Sequence, residues 1–322
     1  MAGWMKALPT VAGTSEILNL PHLSLQLLRL ASGERAVVRT GRTQETAAVF
    51  ASGRVSATAD GRFWSNCGTA LPASPWAQFA AAGRARQGGG ADRPRRRISA
   101  EFRPLAHTSP WPLHQALWLP PDAPLELQAI EPAEVLLIAT DLGSATDRAA
   151  GRQPELARPQ IEDSREVGSG AFRRLVTPLL IPGTSSVSLA LGETYNPPGG
   201  WSTYPPHRHD RRADLAEPDE TQHEEIYIFR FAPAAGFGLA RVYEDRASGR
   251  APGEGVPGGA GPIDQALVFR HGDVLAIVQG YHTLVSAPGY HLHYLWAMAG
   301  PRAVPPVQRA DLTHAWVDQE ER

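Results

Sequence analysis

Cysteine is nearly absent from this chain, which has 322 residues and a single cysteine, Cys67. One cysteine cannot form a disulfide within the chain, and this is typical of a reducing compartment. No apolar run approaches the ~18 residues of a membrane-spanning helix. The first residues, MAGWMKALPTVAG, carry one lysine and no long apolar stretch, so they make a poor signal peptide. These absences predict a soluble cytoplasmic protein with no membrane partner.

A basic surplus is also missing. The formal net charge is -2 and the isoelectric point is near 6.6. Proteins that bind nucleic acids usually carry a basic patch or stripe, and no helix-turn-helix pattern is visible. The sequence therefore predicts no nucleic-acid partner.

Turn-forming residues are abundant instead, with 31 glycines and 29 prolines. They separate short apolar runs, a rhythm typical of β-sandwiches and barrels. The predicted strands of the first half are 25–30, 35–38, 46–50, 54–58, 116–119, 125–129 and 134–139. Those of the second half are 174–181, 186–191, 225–231, 238–243, 266–270, 273–278 and 291–298. We expect an all-β fold.

A polar stretch at 141–163 divides the chain into two predicted domains, 1–150 and 151–322. The segments TQETAAVFASG (43–53) and HEEIYIFRF (223–231) each place a carboxylate before a strand that ends in an aromatic residue. With the shared strand rhythm, this similarity indicates a duplicated β-domain. Two Gly-rich segments, the basic 81–97 and the later 246–262, are predicted to be solvated loops. The role of the basic segment, with its arginines between Arg93 and Arg97, stays open.

Three histidines and a carboxylate form the most informative pattern. His207 and His209 are two residues apart, so on an extended strand their rings lie on one face about 7 Å apart. A strand with a carboxylate at its start follows, and GDVLAIVQGYH then places His282 after a turn that contains glycine. Three imidazoles and one carboxylate suit a divalent Mn, Fe, Zn, Ni or Co ion.

The order of these residues matches the two-part signature of the cupins. Five segments further resemble the 5-deoxy-glucuronate isomerase family of inositol catabolism: YNPPGGWSTYPPHRHD, HEEIYIFRF, GFGLARVYED, GDVLAIVQGYH and APGYHLHYLWAMAGP. They are also similar to its relative in pectin breakdown, the 4-deoxy-L-threo-5-hexosulose-uronate ketol-isomerase. The resemblance is strong over 195–301 and looser over the first half. It implies a bicupin, two double-stranded β-helix (jelly-roll) barrels in one chain, with metal in the C-terminal barrel only.

The resemblance also assigns residues. The metal ligands of the family fall on His207, His209, Glu225 and His282, and Glu225 is preferred to Glu224 because it directly precedes the Ile-Tyr-Ile-Phe strand. It implies one divalent ion, Zn, Mn or Fe. The chain departs from the inositol enzyme at four positions: Val278, Gln279, Thr283 and Trp296.

The expected reaction is the aldose–ketose isomerisation of a deoxy-uronic acid, 5-deoxy-D-glucuronate to 5-dehydro-2-deoxy-D-gluconate. A bound cation would polarise the carbonyl, and a base would remove the carbon-bound proton. We name Arg241, Tyr243 and Tyr281 as candidate catalytic residues. Arg241 would bind the substrate carboxylate if its strand face points inward, and an exposed Arg241 stays open. Tyr204 and Tyr294 are further candidate proton shuttles.

Two other classes of function fit the same ligands. Cupins with three histidines and one glutamate also serve as Fe(II) dioxygenases, and a metal-bound cupin without catalysis can bind sugars. Strands of cupins often pair across subunits, so a homo-oligomer stays open. The sequence decides neither the identity of the metal nor the catalytic base.

Overall fold

The computed structural model describes residues 5–9, 12–68, 111–210, 220–244 and 263–317. Within these ranges the regular structure is 22 β-strands and three 3-10 helices, so the expected all-β fold is confirmed. The two Gly-rich segments, 81–97 and 246–262, lie outside the described residues. In the part of the chain that is described, no helix is long and apolar enough to span a bilayer.

The N-terminal barrel consists of a six-stranded and a four-stranded antiparallel sheet that face each other. The six-stranded sheet has the order β11-β8-β5-β10-β3-β2, and the four-stranded sheet β4-β9-β6-β7. The strands are β2 (Gly13–Asn19), β3 (Ser24–Leu30), β4 (Arg35–Arg39), β5 (Gln44–Ser52), β6 (Val55–Ala59), β7 (Arg62–Cys67), β8 (Gln115–Leu119), β9 (Pro124–Ala129), β10 (Ala133–Asp141) and β11 (Glu155–Ala157).

The C-terminal barrel consists of a seven-stranded sheet, β1-β19-β16-β21-β14-β13-β12, and a five-stranded sheet, β18-β17-β20-β15-β22. Its strands are β1 (Met5–Ala7), β12 (Arg165–Val167), β13 (Arg174–Leu180), β14 (Ala190–Asn196), β15 (Trp201–Arg208), β16 (Glu224–Ala232), β17 (Phe237–Tyr243), β18 (Asp264–Arg270), β19 (Asp273–Ile277), β20 (Tyr281–Ser286), β21 (His291–Ala299) and β22 (Arg309–Ala310). The 3-10 helices cover Gly143–Ala149, Ile161–Asp163 and Gly170–Phe172.

The two larger sheets pack against each other and are buried on both faces. Along β16, Ile226 and Ile228 join a core shared by both barrels, whereas Tyr227 and Phe229 fill the C-terminal barrel. The side chains of a strand alternate between faces, so a strand between two cores is apolar throughout. This explains why EEIYIFRFA reads as a continuous apolar run rather than an alternating one.

Strands cross the expected boundary at residue 150. β1, at the start of the chain, pairs with β19 of the C-terminal barrel, and β11, beyond the boundary, pairs with β8 of the N-terminal barrel. The polar stretch 141–163 therefore contains ordered structure, including β11 and two of the 3-10 helices. The domain limits 1–150 and 151–322 stay a prediction.

One predicted strand is wrong at its start. The segment 186–191 was expected to be extended, but the strand begins at Ala190. The backbone N–H groups of Val187, Ser188 and Leu189 donate to the Glu45 carboxylate instead of to a neighbouring strand, at 2.6 to 2.8 Å. A buried side-chain acceptor from the other barrel has replaced the ladder hydrogen bonds.

Candidate metal centre and active-site cavity

Three histidines line the inner face of the five-stranded sheet. His207 on β15 pairs directly with His282 on β20, and His282 pairs in turn with Val242 on β17. Residues directly opposite each other in antiparallel strands project from the same face. His209 follows the end of β15, and its ring centroid lies 6.1 Å from that of His207 and 5.2 Å from that of His282.

A bulge in β15 aims these histidines. Between the pairs Ser202–Leu284 and His207–His282, β15 advances five residues while β20 advances two. Thr203, inside this bulge, has φ 53°, a backbone conformation that residues other than glycine rarely adopt. Such strain is concentrated at functional sites, and Thr203 lines the cavity described below.

Glu225 completes the cluster from the opposite sheet. Its Oε2 lies 3.0 Å from Nε2 of His209 and 3.3 Å from Nε2 of His282. One ligand atom from each of His207, His209, Glu225 and His282 lies within 4.8 Å of the others. Glu224 points to the other face and accepts hydrogen bonds from the backbone of His22 in the N-terminal barrel. Of the two adjacent glutamates, Glu225 is therefore the one that faces the three histidines.

The donor set fits a cation. Nδ1 of His209 lies 2.9 Å from the carbonyl oxygen of His223, which turns Nε2 towards Glu225. Such outer hydrogen bonds orient the histidines of metal sites. Among the described residues, the buried Nε2 atoms of His207 and His282 have no hydrogen-bond partner. Buried polar atoms normally have one, and a metal ion would satisfy both nitrogens.

The protonation states of His207 and Glu225 also suit the binding of a cation. Burial, and then the neighbouring charges of His282 and His209, hold the pKa of His207 well below its usual range, so its ring is neutral. Burial acts to raise the pKa of Glu225, but the neighbouring imidazoles of His209 and His282 outweigh it and lower that pKa. A neutral imidazole and an ionised carboxylate are the forms that bind metals.

A cavity of about 210 Å³ opens beside this cluster. It is lined by Val167, Arg174, Val176, Thr194, Thr203, His207, Glu225, Tyr227, Tyr294, Trp296, Met298 and Gln308. Burial, followed by the charge of Glu225, raises the pKa of Tyr227 far above its usual range, so this hydroxyl stays protonated and can donate a hydrogen bond. The Tyr294 hydroxyl lies 2.5 Å from the hydroxyl of Ser202. The wall thus offers a guanidinium and two phenols near the ligands.

The structure does not bring Arg241 into this cavity. Arg241 and Tyr243 flank Val242, the partner of His282, so both lie on the opposite face of the sheet. Arg241 forms a two-pronged ion pair with Asp264, at 2.9 and 3.0 Å, and its side chain is 46% exposed. Tyr243, stacked on Tyr281, donates to Asp311 on the same outer side. Of the two orientations left open for Arg241, the structure shows the exposed one, because the register with β20 turns its side chain outward.

Three of the four departures from the family pattern lie in different surroundings. Thr283 lies on the outer face beside Arg241 and donates to the carbonyl of Ser202. Gln279 donates to Glu244. Trp296 does line the cavity, and its ring fills the space beside Gly192, where a Cβ would come within 2.2 Å of it. Of these three, only Trp296 bears on the shape of the cavity.

A second cluster lies between the two barrels. His114, Glu193 and His293 each place one ligand atom within 4.8 Å of the other two, and all three are buried. Sequence reasoning missed it, because His114 is far from the other two residues in the chain. No spacing motif signals such a group. The N-terminal barrel without metal stays a prediction.

Residues 108–317 match the model of the KduI/IolB family. The chain belongs to the KduI/IolB family. It is 34% identical over 205 residues to the 5-deoxy-glucuronate isomerase of Geobacillus thermodenitrificans, covering 63% of this chain and 65% of that protein. It is 36% identical over 165 residues to that of Geobacillus kaustophilus, covering 50% and 54%. The chain thus spans between half and two thirds of the length of these curated relatives.

Solved structures extend the likeness of this KduI/IolB member to its whole fold. An IolB-like protein from Salmonella typhimurium LT2 superposes with a TM-score of 0.73 at 23% identity, over 98% of this chain and 99% of that one. The oxalate decarboxylase of Lactobacillus farciminis superposes with a TM-score of 0.54 at 12% identity, over 96% and 89%. These likenesses show the fold, and the expected bicupin is confirmed.

Proposed function

We propose that this chain is a metal-dependent aldose–ketose isomerase that converts 5-deoxy-D-glucuronate to 5-dehydro-2-deoxy-D-gluconate. Its membership of the KduI/IolB family and the name of its curated relatives support the reaction. The observation that carries the proposal is the shared cavity. His207 and Glu225 of the candidate metal centre line it together with Arg174, so one small acid could meet both.

Each part of such a substrate has a matching group. Arg174 offers a planar fork of donors for the uronate carboxylate. Tyr227 and Tyr294 are protonated phenols that can donate to substrate hydroxyls or hold a proton during transfer between oxygens. A divalent ion held by His207, His209, Glu225 and His282 would supply a Lewis acid for the carbonyl.

The proposal is tested by assaying the purified full chain with 5-deoxy-D-glucuronate and following the loss of aldehyde. We expect turnover that a chelator abolishes and that Zn, Mn or Fe restores. Full activity in metal-free protein would reject the mechanism. Oxygen uptake with Fe(II) would support a dioxygenase, and saturable sugar binding without turnover would support a binding protein.

Metal content provides a readout independent of turnover. His209→Ala should lose the ion, because it removes a ligand and leaves the Glu225 carboxylate with one imidazole neighbour fewer. His271→Ala is the matched control, since His271 contacts the backbone of Phe231 instead. Elemental analysis that finds equal metal in both variants would remove His209 from the site.

A further inference from the structure

We propose that His114, Glu193 and His293 form a second metal site, which binds a divalent ion of the zinc class at the contact between the two barrels. Two imidazoles and one carboxylate are the protein ligands of many zinc sites that keep a fourth position open. This site is separate from the His207 cluster. It rests on other residues, on other faces of the sheets, and goes beyond the proposed isomerase activity.

The topology explains how the three residues meet. Glu193 on β14 and His293 on β21 have the same parity as Leu191 and Leu295, which belong to the core between the barrels. His114 directly precedes β8 of the N-terminal barrel. The candidate site thus takes ligands from both halves of the chain.

The distances indicate a convergent set. Oε2 of Glu193 lies 2.6 Å from Nδ1 of His114 and 2.8 Å from Nε2 of His293. Oε1 accepts a further hydrogen bond from the backbone of His114, which fixes the carboxylate. Metal–ligand bonds of about 2.0–2.2 Å in a tetrahedral site place the ligand atoms about 3.3–3.6 Å apart, which is roughly 0.5–1 Å further than these hydrogen bonds. A small outward shift of the two rings would provide that space.

A second observation concerns the space beside the triad. His293 is 3% exposed, and within the described ranges its Nδ1 is buried without a hydrogen-bond partner. His293 and Glu193 line a cavity of about 40 Å³, which also touches Trp111, Tyr195 and Thr177. That volume can hold a water molecule as the fourth ligand.

One positive group lies near the triad. Arg230 pairs with His293 across β16 and β21. Its guanidinium donates to the carbonyl of Ala51 and lies 3.7 Å from Glu134, which offsets part of its charge, although that charge also acts on Glu193 and His293.

The test counts metal in the full chain after it has been stripped with a chelator, reloaded with Zn²⁺ and desalted. We expect about two equivalents in the unmodified protein and about one in Glu193→Gln, which keeps the shape of the side chain. His209→Ala, which removes a ligand of the first site, should also retain about one. The matched control is His291→Ala, since His291 lies on the same face of β21 but pairs with the hydroxyl of Tyr195. It should bind as much metal as the unmodified chain.

The outcomes separate the two sites. Equal zinc in Glu193→Gln and the unmodified chain, with both folded by circular dichroism, would overturn the second site. Should Glu193→Gln fail to fold, Co²⁺ added to His209→Ala provides the second measurement. A visible spectrum of tetrahedral cobalt supports the second site, and its absence overturns it. If only the first site fails to bind zinc, the unmodified chain should bind about one equivalent of zinc, and His209→Ala should bind the same amount.

Discussion

The guanidinium of Arg174 lies on the wall of the cavity that also contains His207 and Glu225. Arg174 is the first residue of β13, and its Nη1 donates to the carbonyl of Phe172 at 3.1 Å, which helps to hold the side chain in place. Arg241 is on the other face of its sheet and paired with Asp264. A carboxylate in the cavity would therefore meet Arg174.

Replacing Arg174 should weaken substrate binding. Loss of a charge-assisted hydrogen bond costs about 1.5–3 kcal/mol, so Arg174→Ala should raise KM roughly 10- to 150-fold and leave the metal content unchanged. Arg241→Ala is the control, and we expect its KM to equal that of the unmodified chain. Steady-state kinetics with 5-deoxy-D-glucuronate decide. A rise in KM for Arg241→Ala alone would return the role of carboxylate anchor to Arg241.

At this scale the sequence predicts what depends on neighbours along one strand. The pairing of Arg241 with Tyr243 on one face follows from alternation, as does the opposite orientation of Glu224 and Glu225, whereas the choice of Glu225 came from the family resemblance. Which face points inward depends on the register with β20, and that register is a contact between distant segments. Arg174 was missed for the same reason, because nothing in its strand reveals which other strands surround it.

Among the elements, the turn before β20 controls the position of His282. Gly280 has φ 88°, and its N–H donates to Asp210 at 3.0 Å. A Cβ at this position would lie 2.8 Å from the carbonyl oxygen of Tyr243. Gly272, in the turn before β19, has φ 84° but open space around it. Comparing substitutions at the two glycines therefore separates the cost of the backbone conformation from the cost of the close contact.

We expect Gly280→Ala to be the more damaging of the two substitutions. A left-handed conformation costs alanine about 1–2 kcal/mol at either position. Overpacking adds about 1–3 kcal/mol at Gly280 only, and the displaced turn should also lower the metal occupancy at His282. Urea unfolding and elemental analysis of both variants provide the measurement. Equal losses of stability and of metal would show that the contact with Tyr243 is irrelevant.

The positions of most long strands followed from the sequence, because short apolar runs between turn residues are a local signal. The bulge in β15 did not, although it aims His207. It depends on a mismatch in length against β20, which is visible only once the two strands are paired. The predicted start of β14 was wrong because the amides of Val187 to Leu189 donate to Glu45 from the other barrel.

In the whole molecule, each barrel provides a carboxylate that accepts hydrogen bonds from the backbone of the other barrel. Glu45 on β5 accepts from the backbone of three residues of the C-terminal half and from Nε1 of Trp118 at 2.8 Å. Glu224 on β16 accepts from the backbone of His22 and Leu23 in the N-terminal half, at 2.8 and 3.1 Å. Both carboxylates stand near the start of corresponding strands.

This symmetry explains part of the similarity seen between the segments 43–53 and 223–231. In β5, Ala47 and Val49 face the shared core, as Ile226 and Ile228 do in β16. Glu45 then corresponds to Glu224, and Thr46 occupies the position of the metal-centre residue Glu225. The sequence predicted the duplication but not this packing, since the resemblance does not indicate which faces meet.

Because one core and these carboxylates join the barrels, we expect the two halves to unfold together. Glu45→Ala would leave four donors without their acceptor, and each buried orphan costs about 1–3 kcal/mol, so a loss of at least about 4 kcal/mol is expected. Glu126→Ala, on the exposed face of β9, is the control and should change the stability by less than about 0.5 kcal/mol.

Hydrogen exchange in increasing urea measures both the loss and its reach. In Glu45→Ala, the amides of β5 and of β16 should lose protection at the same, lowered urea concentration, although the substitution lies in the N-terminal barrel. The shared core explains this, since exposing its N-terminal side also exposes Ile226 and Ile228. Protection that persists in β16 after β5 has opened would show that the barrels unfold independently. The hydrogen bonds of Glu45 and Glu224 between the barrels would then not couple their unfolding.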